Sequence, residues 1–250
     1  MSRRYLAANW KMNIPGEGIG PYLRNIAGWN ETSEVEIVIA PPALFLAEAS
    51  MEVSRLSRHV HVAGQNCWDE PNGAFTGEVS APMLAACGAS HVILGHSERR
   101  RIFGEDDELL GRKIRTALAN ELVPIFCVGE QEAARTSGAT EEVLEKQIRG
   151  ALEGIDEYGL SILVAYEPAW AIGTGKIASP DIVDQTHDYI GRLLADVVGA
   201  PVPILYGGSV SHDNAAALAE VESVDGFLVG GASLESERLA LIYRALSDGR

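Results

Sequence analysis

A single carboxylate interrupts an almost uncharged stretch, AYEPAWAIGTGK (165–176). Glu167 follows an apolar run and precedes Pro168, which keeps the residue before it extended. A carboxylate at the end of an apolar strand is partly removed from water, and this makes it a stronger base. A structural glutamate that caps a helix or pairs with an arginine is the alternative. The position at a strand end favours a general base.

A histidine occupies a similar place after another apolar run, HVILG (91–95). His96 opens the sequence HSERR, which is typical of a helix start with Ser97 as a possible cap. Positive potential at a helix N-terminus favours a neutral imidazole. Such a ring can donate a hydrogen bond to a carbonyl oxygen that gains negative charge. The alternative is an ordinary core or surface histidine, the class to which we assign the other five.

Two further polar residues flank a tryptophan in NWKMN (9–13), directly after the first apolar run. A lysine in such a place is normally a solvated surface residue. Because Lys11 follows a buried strand, we expect it to point inward, where it could neutralise a phosphate or an oxyanion. Asn9 lies beside it at the strand end.

Glycines end the last two apolar runs, as Gly207-Gly208-Ser209 and Gly230-Gly231. Glycine lets backbone N–H groups approach an anion closely, and barrel enzymes commonly bind phosphate after their last two strands. Two tight turns are the alternative. Together with the N–H groups of AIGTGK (171–176), the pairs indicate a phosphate monoester as the substrate class.

The segment after Glu167 has the composition of a closing lid that excludes water from the site. A plain surface loop is the alternative, but the large apolar Trp170 needs a surface to pack against. The predicted lid consists of Pro168, Ala169, Trp170, Ala171, Ile172, Gly173, Thr174, Gly175 and Lys176.

These residues must be positioned by eight short β-type runs that alternate with helical patterns. Several runs are continuously apolar, which is typical of parallel strands buried on both faces. Eight units in 250 residues predict a closed parallel (β/α)8 barrel in one domain, 1–250. An open doubly wound sheet is the alternative, but its G-x-G-x-x-G signature is absent. The runs are YLAAN (5–9), EIVIA (36–40), HVHVAGQ (59–65), HVILG (91–95), PIFCV (124–128), SILVAYE (161–167), PILYG (203–207) and GFLVG (226–230).

Helix start signals support this alternation. Ser179-Pro180-Asp181 combines an N-cap, a proline in the first turn and an acidic residue. Ser211 precedes HDNAAALAEV in a similar way. The segment DDELLGRKIRTALANE (106–121) has apolar residues at helical spacing.

Composition excludes several classes of protein. The formal net charge of −15 argues against nucleic acid and anionic membranes as partners. Three widely spaced cysteines and the absence of a signal-like or membrane-length apolar run predict a cytoplasmic protein. His59 and His61 alternate along a strand without nearby ligands, so no metal site is expected there. No cofactor is expected either, because proton transfer beside a carbonyl needs none when a base, an electrophile and a cation are already supplied.

The combination of motifs resembles the triosephosphate isomerase family from the first strand to the last. The motifs that carry the resemblance are NWKMN, GAFTGEVSA, ILGHSERR, CVGE, AYEPAWAIGTGK, ILYGGSV and DGFLVGGASL. The resemblance implies that Glu167 is the base, that His96 is the neutral electrophile, and that Lys11, with Asn9 beside it and Glu98 supporting it, balances negative charge. It implies that residues 168–176 close over the site. It also implies that the phosphate binds backbone amides of Gly173, Ser209, Gly230 and Gly231.

The resemblance further implies a homodimer in which the 65–80 loop reaches the partner subunit and places Thr76 at its site. Two departures from the family pattern occur, Ile14-Pro15 after NWKMN and Ala169 in the lid. Because Ile14-Pro15 lies near Lys11, an isomerase of a four-carbon ketose phosphate with the same residues is an alternative. A non-catalytic phosphate-binding barrel is a second alternative, but it would be expected to lack Glu167, His96 or Lys11.

Overall fold

The computed structural model describes residues 3–29, 35–56, 59–155, 161–172 and 176–249. Eight parallel strands form a closed barrel in chain order, with the last strand paired to the first. Helices follow the strands on the outside. The predicted (β/α)8 barrel is therefore confirmed, and the open doubly wound sheet is excluded.

The elements match the predicted alternation closely. The strands are β1 (Arg4–Asn9), β2 (Val35–Ala40), β3 (Val60–Gly64), β4 (His91–Leu94), β5 (Val123–Val128), β6 (Leu163–Tyr166), β7 (Ile204–Tyr206) and β8 (Gly226–Val229). The helices are α1 (Ile19–Ala27), α2 (Leu46–Leu56), α3 (Ala81–Ala86), α4 (Ser97–Phe103), α5 (Asp107–Ala119), α6 (Glu132–Ser137), α7 (Thr140–Leu152), α8 (Pro180–Val198), α9 (Ala215–Ala219) and α10 (Ser236–Asp248). Two short 3₁₀ turns span Ala43–Phe45 and Gly231–Leu234.

The strands are apolar on both faces because each face meets a different core. Alternate residues such as Ala7 and Ile125 fill the inside of the barrel. Their neighbours Leu6 and Phe126 pack outward in the layer shared with the helices. This two-sided burial explains the absence of polar alternation in the strand sequences.

The helix start signals are correct at two of three places. Ser179 caps α8 by accepting a hydrogen bond from the Ile182 N–H, with Pro180 in the first turn. Helix α5 covers the predicted segment. The Ser211 prediction is wrong, because α9 begins later, after Asn214. The Asn214 side chain instead closes the preceding turn, where its Oδ1 accepts from the Ser211 N–H at 2.8 Å.

Across the part of the chain that the structure describes, no helix is both long enough and apolar enough to cross a lipid bilayer.

Candidate active site

A cavity of about 250 Å³ opens at the C-terminal ends of the strands. Its lining comes from the ends of β1, β4, β6, β7 and β8, which lie far apart in sequence. The parallel barrel brings these ends to one rim, because the C-terminal ends of parallel strands all lie at the same end of a barrel. The lining includes Asn9, Lys11, His96, Glu167, Ser209, Gly230 and Gly231.

Glu167 follows β6 and is almost fully buried, with 2% of its surface exposed. Its Oε2 accepts a hydrogen bond from the Ser97 N–H at 2.8 Å. Its Oε1 lies 3.1 Å from Nε2 of His96. Glycine leaves the space that this side chain needs, since a Cβ on Gly207 would lie 2.8 Å from the Glu167 Cγ. A hydrogen bond from a backbone amide and a close contact with an imidazole thus hold the carboxylate at the cavity.

His96 is itself the N-cap of α4, so the prediction that Ser97 caps this helix is wrong. Its Nδ1 accepts a hydrogen bond from the Glu98 N–H at 3.2 Å. A nitrogen that accepts carries no proton, so the neutral ring carries its proton on Nε2. Nε2 is the nitrogen near Glu167. The backbone at the start of α4 therefore selects the tautomer that can donate into the site.

Lys11 is fixed from two sides. Its Nζ lies 2.7 Å from Oε1 of Glu98, and its backbone N–H donates to Oδ1 of Asn9 at 3.0 Å. Partial burial opposes ionisation of Glu98, but the hydrogen bond and the charge of Lys11 outweigh it and hold the pKa of this carboxyl below its ordinary value. Lys11 also has a positive φ of 53°, a strained conformation for a residue with a side chain.

Gln65, at the end of β3, is a supporting residue that the sequence did not single out. Its side-chain N–H₂ group donates to the backbone oxygens of Lys11 and Ala40, at 2.8 Å each. These bonds tie the strained Lys11 backbone to the neighbouring strands. The only sequence signal was the position of Gln65 at a strand end.

The glycine pairs after β7 and β8 line the cavity and also leave space for neighbouring side chains. A Cβ on Gly208 would lie 2.2 Å from the Tyr206 Oη, so this glycine is required by packing within the protein. A Cβ on Gly230 would lie 3.3 Å from the Cε of Lys11. Of the four glycines in these two pairs, only Gly231 has open space around its Cβ position, with no atom within 4 Å. The pairs therefore serve to seat neighbouring side chains as well as to line the cavity.

The structure describes the two ends of the predicted lid, 168–172 and Lys176. Gly173, Thr174 and Gly175 lie outside the described residues. The indole N–H of Trp170 donates to Oε1 of Glu130 at 2.9 Å. The Ser209 hydroxyl donates to the Ala171 carbonyl, and Lys176 forms an ion pair with Glu132. The lid ends are thus connected to the segments that follow β5 and β7.

Glu130 is the anchor that sequence analysis missed. It is fully buried and accepts from both the Trp170 indole and the Tyr166 hydroxyl, the latter at 3.1 Å to each oxygen. Burial and the negative charge of Glu130 raise the pKa of Tyr166 far above its ordinary value. The carboxylate therefore connects β6 to the start of the predicted lid.

The 65–80 loop follows β3, and Thr76 within it is exposed. Its base is closed by a hydrogen bond from the Trp68 N–H to the Val79 carbonyl at 2.8 Å. The Trp68 and Phe75 rings lie 5.3 Å apart between centroids, and Phe75 is 40% exposed. The loop is thus closed at its base by a backbone hydrogen bond and exposes part of the Phe75 ring.

The fold and the site together define a (β/α)8-barrel enzyme with an acid–base site at the C-terminal rim of its strands. The chain belongs to the triosephosphate isomerase family, since the family model for triosephosphate isomerase matches residues 4–246.

Similar proteins cover the chain from end to end. A triosephosphate isomerase of Rhodopirellula baltica is 44% identical, with 98% of both chains covered. One of Colwellia psychrerythraea is 41% identical over 96% of both chains. A chloroplastic triosephosphate isomerase of Secale cereale is 40% identical over 98% of this chain and 82% of its own. The crystal structure of triosephosphate isomerase from Bartonella henselae superposes with a TM-score of 0.87 at 36% identity, covering 98% of this chain and 99% of that one.

Proposed function

We propose that this cavity interconverts dihydroxyacetone phosphate and D-glyceraldehyde 3-phosphate. The observation that carries the proposal is the pairing at the cavity of the buried Glu167 carboxylate with a histidine whose Nε2 is the donor nitrogen. Proton transfer between adjacent carbons needs one group that takes a proton from carbon and one that donates toward oxygen. Lys11 supplies a positive charge at the same cavity.

The reaction then follows from these groups. Glu167 takes the proton from the carbon beside the carbonyl, and the C–H electron pair forms the enediolate double bond. The carbonyl oxygen gains negative charge, which the Nε2–H of His96 and the Lys11 ammonium stabilise. Glu167 returns a proton to the neighbouring carbon, while the hydroxyl proton moves between the two oxygens. Asn9 and Glu98 hold Lys11 in place, which the contacts at its N–H and its Nζ support.

We assign the phosphate group to the part of the cavity that the glycines border. Gly230, Gly231 and Ser209 line the cavity, and Gly230 lies beside Lys11. Gly173, outside the described residues, completes this set by its place in the AIGTGK motif. Backbone N–H groups bind an anion without adding further charge to the site.

We assign residues 168–176 the role of a lid. Each Glu167 oxygen lies against a donor, one against the Ser97 amide and one against His96, so the carboxylate must turn from these partners toward the substrate carbon to act as a base. Pro168 joins Glu167 directly to the lid. Lid closure over the substrate would move the carboxylate and exclude water that would let the enediolate eliminate phosphate.

We further propose that the chain is one catalytic domain, 1–250, that works as a cytoplasmic homodimer through the 65–80 loop. A groove beside the cavity supports the dimer. It is lined in part by Met12, Val79 and Phe103, and the first and last of these are 94% and 65% exposed. A partner's loop would cover this apolar surface and bring Thr76 to the site. On cellular location, one of the relatives described above, the protein of Secale cereale, is named as chloroplastic.

The four-carbon alternative gains no support, because each of the relatives described above is named as a triosephosphate isomerase.

Isomerisation in D₂O tests the proton-transfer mechanism. A base that exchanges its proton with solvent should leave deuterium on the carbon that receives the proton. NMR spectra of the product measure this incorporation. A product free of deuterium at that carbon, together with normal turnover by Glu167→Gln, would contradict proton transfer through Glu167 and indicate a direct hydride shift.

A further inference from the structure

Tyr22 lies on α1, outside the barrel, beside the seam where β1 pairs with β8. Its side chain is completely buried on the same helix face as Leu23 and Ile26. Core packing accounts for the ring, but a buried hydroxyl needs a hydrogen-bond partner. The Tyr22 hydroxyl donates to the backbone oxygen of Ser233 at 2.7 Å.

Ser233 belongs to the 3₁₀ turn Gly231–Leu234 that follows β8. It too is fully buried. Its N–H and its hydroxyl both donate to the carbonyl of Gly230, at 2.8 Å and 2.7 Å. The hydrogen bonds thus run from Tyr22 through Ser233 to Gly230, and Gly230 lines the cavity.

Tyr22 also contacts the segment that carries the lysine. Its ring meets the buried Trp10 ring edge-on, with 5.1 Å between centroids and an interplanar angle of 86°. Trp10 immediately precedes Lys11. The two strand ends are close together, since a Cβ on Gly230 would lie 3.3 Å from the Lys11 Cε. One side chain therefore touches both of the segments to which the phosphate is assigned.

We propose that Tyr22 is a positioning residue for the phosphate end of the substrate. It sets the backbone of Gly230 and Gly231 relative to Lys11 without touching the substrate itself. This inference rests on the proposed function, in which these groups receive the phosphate. A tyrosine in this positioning role should affect binding of the phosphate more than proton transfer by Glu167.

The variant Tyr22→Phe tests this role because it keeps the ring and removes only the hydroxyl, leaving the Ser233 carbonyl without its donor. We expect the KM for glyceraldehyde 3-phosphate and the inhibition constant of inorganic phosphate to rise about five-fold each, with kcat within about two-fold. Turnover of D-glyceraldehyde, which lacks the phosphate, should stay unchanged.

Tyr243→Phe is the matched control. Tyr243 is also buried, and its hydroxyl donates to a backbone carbonyl, that of Trp29, at 3.0 Å. Both variants lose a buried tyrosine–carbonyl hydrogen bond, but only Tyr22 leads to the cavity. We expect KM and the phosphate inhibition constant to be unchanged in the control.

Ser233→Ala removes a second hydrogen bond of the same series and should raise both constants in the same direction. This variant tests the role even if Tyr22→Phe does not fold. Unchanged constants in the folded variants, equal changes in Tyr243→Phe, or an equal loss of activity on D-glyceraldehyde would overturn the inference. A wild-type enzyme without activity on glyceraldehyde 3-phosphate would instead overturn the proposed function, and with it this role.

Discussion

The two ends of the barrel carry similar residue types in different settings. At the C-terminal end, Glu167 lies 3.1 Å from His96. At the N-terminal end, Glu36 on β2 lies 2.9 Å from Nε2 of His61 on β3, beside a cavity of about 300 Å³. Burial, a carboxylate, an imidazole and a cavity are therefore not enough to identify an active site.

The difference lies in what else holds the carboxylate. Glu36 is also 3.5 Å from Nε of Arg3 and 3.7 Å from Nδ1 of His59. Among the described residues, Glu167 has no lysine or arginine within ion-pair distance, and Lys11 is directed to Glu98 instead. A carboxylate held by an arginine and two imidazoles is a structural group, whereas one held by an amide and a single imidazole can exchange those contacts for a substrate.

The largest expected contrast comes from the same substitution at each end. We expect Glu167→Gln to lower kcat by about 10³-fold with little change in KM, because it removes the base that acts in the transition state. Glu36→Gln should leave kcat within about two-fold of the wild-type value, since it affects only the N-terminal end of the barrel. Steady-state kinetics of both variants measure the contrast. Near-normal turnover by Glu167→Gln would refute its role as the base.

A smaller contrast concerns the cations. Lys11→Ala should raise KM by about 10- to 100-fold, because a charge-assisted contact to the phosphate or enediolate is lost. Arg3→Ala, which removes a partner of Glu36, should leave KM unchanged. Substrate titrations of the two variants give the comparison. An unchanged KM in Lys11→Ala would argue against this role of the lysine.

The smallest expected effect concerns stability in acid. His91 lies at the N-terminal end of the barrel. Burial and the nearby His61 lower its pKa to about 3. His91 also contacts the Ser90 hydroxyl through Nδ1 at 2.8 Å. In the unfolded chain this histidine binds a proton near pH 6.5. Above that pH His91 is neutral in both states, and its contribution to the free energy of unfolding is fully present. That contribution is lost as the pH falls from about 6.5 toward 3.

Urea unfolding of the wild type and of His91→Asn, at pH 7.5 and pH 5, measures this contribution. We expect the wild type to lose about 2 kcal/mol more than the variant between these two values. Equal losses in the two proteins would show that His91 does not contribute to acid sensitivity.

The barrel and most of the site could be predicted because both depend on local patterns. Continuous apolar strands and their order define the barrel, and the polar residues that follow the strands are brought to one rim. Gln65 and Glu130 could not be given roles, because their partners lie on other strand ends and in the lid. The cap predictions at Ser97 and Ser211 are wrong because His96 caps α4 one residue earlier and the Asn214 side chain closes the turn before α9.

The most direct test is kcat/KM for glyceraldehyde 3-phosphate and for a four-carbon ketose phosphate on one purified preparation. We expect a value with the triose that approaches the diffusion limit of about 10⁸–10⁹ M⁻¹s⁻¹, and a much lower value with the four-carbon sugar. A slow triose reaction beside a fast four-carbon reaction would contradict the proposed substrate, and the Ile14-Pro15 segment near Lys11 would be the first region to examine.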